Sequence, residues 1–358
     1  MLTALTFILI LTSAVVVHEL AHYLNARSVG VPVRTFSVGI GPVLLRRRWR
    51  GTEWRLSALP LGGYVDPVGM GPTLGDDGRL EHPKEGLATK SLPAKLWVLV
   101  GGVIANYLLG SILLASAITM EPAYREITTG QTPTILGSSL AEVTPGSAAE
   151  LLGLATGDRL LSVNGVVDPA PNQVVEQVRS ASELNIVFAR DGIEQTISTP
   201  WPPAGTTGAP LLGVRIAPVL PAVSFWPTLI ESLRFGIRVV PDMVSGFITG
   251  FASAITGSEN REVAGPVGMV SMVDQARRVG IAPVVLLAAV INFSLAVFNL
   301  LPIPGLDGGR MLLATVVAVR RKPFAPGQEE QFHFFGVVAV LALIVLITFR
   351  ELSGLFTS

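Results

Sequence analysis

Hydrophobic positions in this chain come in long blocks. Residues 2–17 carry no charged side chain, and further charge-free blocks run Leu96–Met120, Ile281–Leu306 and Phe334–Phe349. A helix needs about 20 apolar residues to cross a bilayer, so each block predicts a membrane span, four in all. The last is short and draws on Phe332 and His333, or on local thinning, to match the bilayer. After the first block the pattern changes. Thr35–Ile40, Glu53–Leu59 and Gly62–Val65 are short, partly β-branched or aromatic, and broken by Gly and Pro. They predict a small β-structure placed to dip toward the membrane. Asp66–Lys95, richer in Gly, Pro and charge, reads as a flexible loop in which His82 is a surface residue. From about Gly137 to Thr199 strand, helix and turn alternate, ending in strands Leu184–Ala189 and Ile193–Ser198 around Arg190-Asp191-Gly192, a hairpin signal. Beyond them Leu229, Leu233, Ile237 and Val240 recur at helical spacing among Glu231, Arg234 and Arg238. That predicts an amphipathic helix on the outer membrane surface in place of a fifth span.

The expected fold class is therefore a polytopic α-helical membrane protein with a small β-hairpin or sheet and an inserted β-rich α+β domain. It divides into an N-terminal membrane part (1–136), the insert (137–200), a linker with the interfacial helix (201–280) and a C-terminal membrane part (281–358). Composition agrees: mean hydropathy is +0.56 and only 15% of residues are charged, against about 25% in soluble domains. A formal net charge of zero, with no extended basic field, argues against a nucleic-acid partner. The chain has no Cys, which excludes disulfides and thiolate metal ligands. No Lys or Arg precedes the first block and no small-residue cleavage site follows it, so it reads as a retained span. Arg27, Arg34, Arg46, Arg47, Arg48, Arg50 and Arg55 follow the first span, and Arg310, Arg320, Arg321 and Lys322 the third. Both loops are expected in the cytoplasm, with the termini and Glu121–Gly280 outside.

The chemistry is concentrated at the end of the first block, in His18-Glu19-Leu20-Ala21-His22. Four residues apart on a helix, two His share a face and can hold Zn²⁺ while the intervening Glu faces the water to be activated. Ionisable side chains are costly in lipid and usually serve function there. A catalytic zinc site normally has a third protein ligand. The outstanding carboxylate beside an apolar block is Asp307, in Asn299-Leu300-Leu301-Pro302-Ile303-Pro304-Gly305-Leu306-Asp307-Gly308-Gly309. From spacing alone it is equally a ligand or a cap for a helix over Gly308–Val319.

Three features together resemble a known family. They are HExxH on the first span, the downstream Asn299-x₂-Pro302-x₄-Asp307-Gly308, and an insert that looks like one circularly permuted PDZ domain of bacterial type, carried by Glu142–Ala149 and Leu154–Gly165. The chain resembles the site-2 protease family of intramembrane zinc metalloproteases, in particular the bacterial regulator-of-sigma-E type. Phe36–Pro42, Leu61-Gly62-Gly63-Tyr64-Val65 and Gly265-Pro266-Val267-Gly268 are also similar to family motifs. The resemblance implies His18, His22 and Asp307 as zinc ligands, Glu19 as the catalytic carboxylate, and Asn299 as a substrate-binding residue. It places Gly63 and Tyr64 on a membrane re-entrant β-hairpin that handles substrate. It also implies a bacterial cytoplasmic membrane location, and the orientation expected from the basic residues puts the pentad at the cytoplasmic end of its helix. The implied substrates are single-span membrane proteins such as anti-sigma factors, first trimmed by an upstream site-1-type protease, and signal-peptide remnants. Where the family has Gly-Pro before an Asn in the second span, this chain has Gly102-Val103-Ile104-Ala105-Asn106, leaving the role of Asn106 open, as is that of Asn292. The insert has room for one PDZ domain, and a small β-domain that merely shields the site is an equal reading. The rival function is a membrane-bound PDZ adaptor with a closed structural metal site. A transporter would favour inverted repeats, and none is visible.

Overall fold

The computed structural model describes residues 2–71, 73–74, 80–202, 211–256 and 265–357. The chain divides into two compact units, residues 1–117 with 225–358, and residues 118–224.

The larger unit opens with helix α1, Leu2–Ser28, which carries the whole HExxH pentad. A hairpin follows, β1 Val33–Trp49 and β2 Thr52–Pro67. Its tip turns through Arg50 and Gly51, both at positive φ, between the paired Trp49 and Thr52. These strands outrun the sequence expectation, because the Arg46–Arg48 run that read as loop pairs with Trp54, Glu53 and Arg55. Phe36 stands opposite both Val65 and Trp54, so the first part of β1 has β2 on each side. Tyr23, Val33, Phe36, Leu87 and Val98 bury together with Trp54 against them, which fastens the hairpin to the end of α1. The expected flexible loop contains secondary structure. Strands β3 Thr73–Leu74 and β4 Leu80–Glu81 pair, and Leu87 is buried. Helix α2, Leu92–Met120, runs back along α1.

The smaller unit begins with the short α3, Arg125–Thr129. It then builds β5 Ser138–Val143, α4 Ala148–Leu151, β6 Arg159–Val163, β7 Val166–Val167, α5 Pro171–Ser180, β8 Glu183–Arg190, β9 Ile193–Pro200 and β10 Val214–Pro218. The sheet runs β10-β5-β6-β8-β9, with β7 paired to β6. Asp191 and Gly192, both at positive φ, close the β8–β9 hairpin, as their residue types predict. The closing strand β10 lies beyond residue 200, in the stretch read as linker. Leu140, Leu160, Leu184, Ile186 and Phe188 form the core. Beside it Arg190 makes a fork of two 2.7 Å bonds to the buried Asp158.

The larger unit resumes with α6 Phe225–Arg238, α7 Val240–Thr256 and α8 Pro266–Val279. Of these only α6 was expected. Its buried face is Thr228, Ser232 and Gly236, while Ile237 is exposed. Small residues one turn apart allow close helix approach, and a Cβ at Gly236 would strike Phe293 and Tyr107. α9, Ile281–Leu300, ends six residues short of the expected Leu306, since Pro302 and Pro304 offer no amide to continue it. After the turn come α10, Asp307–Arg320, and α11, Gln328–Thr357. Among the described residues four helices, α1, α2, α9 and α11, are long and apolar enough to span a bilayer. The chain is a multi-pass membrane protein with an inserted β-rich domain.

Candidate metal centre

Helix α1 delivers His18 and His22 one turn apart, both buried. The turn that breaks α9 delivers Asp307 to the same point. Gly308 and Gly309 make this possible, because a Cβ on either would lie 2.1–2.2 Å from the Leu301 and Ile303 carbonyl oxygens. Asp307 makes no capping hydrogen bond among the described residues, and its Oδ2 lies 3.1 Å from His18 Nε2 and 3.1 Å from His22 Nε2. The two Nε2 atoms are themselves 3.1 Å apart. Ligands about 2.0–2.1 Å from a tetrahedral zinc stand about 3.3–3.4 Å from one another, so the triangle is close to the size the ion needs.

Proton placement makes the same point. His22 Nδ1 is 2.7 Å from the Val98 carbonyl, which can only accept, so Nδ1 carries the proton. Neutral His22 then turns a lone pair toward the Asp307 oxygen and His18 Nε2. A proton on either Nε2 would relieve only the contacts that nitrogen makes, whereas a cation at the centre relieves all three. The donor set therefore fits zinc, with no thiolate to close the shell. Among the described residues no fourth His, Asp or Glu joins the group. Three protein ligands is the number a catalytic zinc site uses.

Glu19 follows on the same helix. Gly63 lies against it. A Cβ there would meet Ser37 O at 2.8 Å, Val15 at 3.3 Å and Glu19 Cγ at 3.6 Å. The hairpin thus presents backbone to the pentad. The family model for peptidase family M50 matches residues 6–343. The chain belongs to peptidase family M50. Relatives run the length of the chain. An inferred zinc metalloprotease of Agrobacterium fabrum is 30% identical over 377 residues, covering 98% of this chain and 95% of its own. Another from Rhizobium meliloti is 31% identical over 373 residues, covering 98% and 96%. The zinc metalloprotease RasP of Shouchella clausii is 25% identical over 437 residues, covering 99% and 100%.

The other expected site residues of this M50 peptidase are placed less directly. The Tyr64 hydroxyl accepts from Arg55 Nη1 at 3.0 Å and lines a cavity of about 1210 Å³, with Arg55, Asp66, His82, Arg310 and His333 among its walls. Neither metal-facing His nor Asp307 lines it. Asn299 is half-buried on the last turn of α9, and its side chain makes no hydrogen bond among the described residues. Asn292 is buried and donates to its own helix at Ala288 O, 2.8 Å. Two residues emerge that the sequence did not single out as site members. Gly102 packs under the His18 ring. His333 of α11 accepts the Gly305 amide at 2.9 Å through Nδ1 and so pins the turn two residues before Asp307. The only sequence signal for Gly102 was its place one turn before Asn106; for His333 there was none beyond its nearness to a span.

Proposed function

We propose that this M50 member is an intramembrane zinc endopeptidase that cuts a peptide bond within the membrane-embedded segment of single-span proteins. Anti-sigma factors trimmed outside by another protease and signal-peptide remnants are the substrate classes. The observation that carries this reading is the convergence of His18, His22 and Asp307, from opposite ends of the chain, beside Glu19 on a helix apolar enough to span the bilayer.

In this mechanism His18, His22 and Asp307 hold the metal. Zinc held there supplies Lewis acidity, which makes water a nucleophile near neutral pH and polarises the scissile carbonyl. Glu19 takes the proton released as the C–O bond forms and returns it to the amine nitrogen as the C–N bond breaks. A helical substrate hides its carbonyls in its own hydrogen bonds and must unwind before attack. β2 around Gly63–Val65 supports that step: no third strand flanks this sheet among the described residues, so its edge can take an unwound segment by strand addition. Asn299 is assigned to the substrate backbone at the same end of α9. The inserted domain is assigned as a PDZ module outside the cytoplasm that admits trimmed substrates, with the Arg-rich hairpin on the cytoplasmic side.

The test is cleavage of a tagged single-span reporter by purified full-length protein, with zinc measured on the same sample. Glu19→Gln should keep zinc and lose cleavage, since an amide cannot accept the proton. Wild-type turnover by that variant refutes the role.

A further inference from the structure

Val98, Gly102 and Asn106 are spaced by four on α2 and so lie along one face of that helix. Each meets a metal-facing imidazole. The Val98 carbonyl takes His22 Nδ1–H at 2.7 Å. Gly102 leaves the space that the His18 ring fills. The Asn106 Nδ2 stands 3.4 Å from His18 Nδ1, so the Oδ1 contact requires the amide turned end for end. Asn106 is 1% exposed, and its Oδ1 has no partner among the described residues.

We infer that Asn106 is a positioning residue for His18, accepting the Nδ1 proton through its carbonyl oxygen and so fixing the tautomer that aims the Nε2 lone pair at the metal. The inference rests on His18 being a ligand. A neutral imidazole has one N–H and one lone pair, and its surroundings decide which nitrogen carries which. For His22 the Val98 carbonyl decides. For His18 the polar neighbour at Nδ1 is the Asn106 amide, whose two ends have nearly the same shape and exchange by half a turn of the last torsion. With Nδ2 forward it donates to a bare Nδ1, and the proton sits on Nε2, aimed at His22 and Asp307. With Oδ1 forward it takes Nδ1–H and leaves Nε2 bare. Only the second arrangement is compatible with a ligand at Nε2, and the oxygen it uses is otherwise idle. α2 would then orient both metal-facing His rings from a single face while contributing no ligand.

Full-length protein in detergent is titrated with zinc against a chromophoric chelator, comparing wild type with Asn106→Leu, Asn106→Asp and His18→Ala. Leu fills a similar volume without an acceptor, and it should weaken zinc binding roughly 10–100-fold, the range for lost outer partners of ligating His. Asp offers a stronger acceptor and should bind zinc at least as tightly as wild type. A helix-packing role for Asn106 would not distinguish Leu from Asp in this way. Wild-type affinity in Asn106→Leu overturns the inference, and so does a drop of more than about tenfold in Asn106→Asp. If Asn106→Leu does not fold, the Asp variant decides alone. If His18→Ala binds zinc like wild type, the metal centre itself is misassigned and the inference falls with it; that outcome is read from a different sample than the Asn106 variants.

Discussion

Adding one methyl group at Gly102 should empty the metal centre without weakening the helix that carries it. A Cβ there would sit 2.4 Å from His18 Cε1 and 2.5 Å from both ring nitrogens. Ordinary carbon contacts are about 3.5–4.0 Å, so ring and helix must separate by roughly 1 Å. Metal–ligand distances tolerate only about 0.2 Å, so the displacement is several times what the site can absorb. The two other consequences oppose each other. Ala is about 1 kcal/mol better than Gly inside a helix, and overpacking costs about 1–3 kcal/mol, so global stability should change by no more than about 2 kcal/mol. Gly102→Ala should therefore unfold near the wild-type temperature, hold much less than one zinc per chain after dialysis, and cleave a single-span reporter at least about 100-fold more slowly. Stoichiometric zinc with wild-type cleavage would show that the His18 ring does not need its present seat.

Gly63→Ala should spare zinc and reduce cleavage, because its methyl meets the Ser37 carbonyl and crowds Glu19; unchanged kcat/KM would separate the hairpin from catalysis. His333→Leu leaves the Gly305 amide without its acceptor, at a cost of about 1–3 kcal/mol, and should loosen zinc binding, while His333→Gln restores it; equal zinc affinities in both variants would free the turn from α11. In the inserted domain, burial alone would raise the Asp158 carboxyl, but the Arg190 fork and the Ala155 amide hold it below its ordinary value. Its contribution to stability should thus be complete above about pH 4, the unfolded range, and disappear as pH falls through the lower folded value. Limited proteolysis of the insert across pH 2–6 reads this out, the range being about two units either side of the unfolded value. Asp158→Ala, which should cost about 2–3 kcal/mol with Arg190 keeping some water contact, should flatten the acid response.

The spans were legible because lipid demands unbroken apolar stretches, and the pentad because its spacing is a statement about one helix face. Asp307 was legible as a candidate through the prolines that break α9. What escaped detection shares a physical character. α6 is held by Thr228, Ser232 and Gly236, whose value lies in smallness, and a search for apolar period finds Leu229 and Leu233 instead. β1 continues through Arg46–Arg48, where pairing across the hairpin outweighs a composition that reads as loop. Asn106 was visible as a motif position but its neighbour His18, 88 positions away, was not, and nothing local to His333 reports its contact 28 positions away. β10 completes a sheet whose other strands had already been read as a finished domain.

Helix α8 holds the two ends of the chain together. Glu351, near the end of α11, accepts the Gly265, Val267 and Gly268 amides at the start of α8. Further along α8, Asp274 accepts from Thr3 Oγ1 at the start of α1, 2.7 Å, and Val273 packs with Ile10. His22 and Asp307 are 285 residues apart, and closing a flexible loop of that length costs about 5 kcal/mol in its length-dependent part alone. With α8 bridging first helix and last, that closure is accomplished by contacts that involve no ligand side chain. The ion then meets a triangle already assembled, so its binding energy is available for affinity instead of for gathering the chain, and its departure should leave the bundle closed.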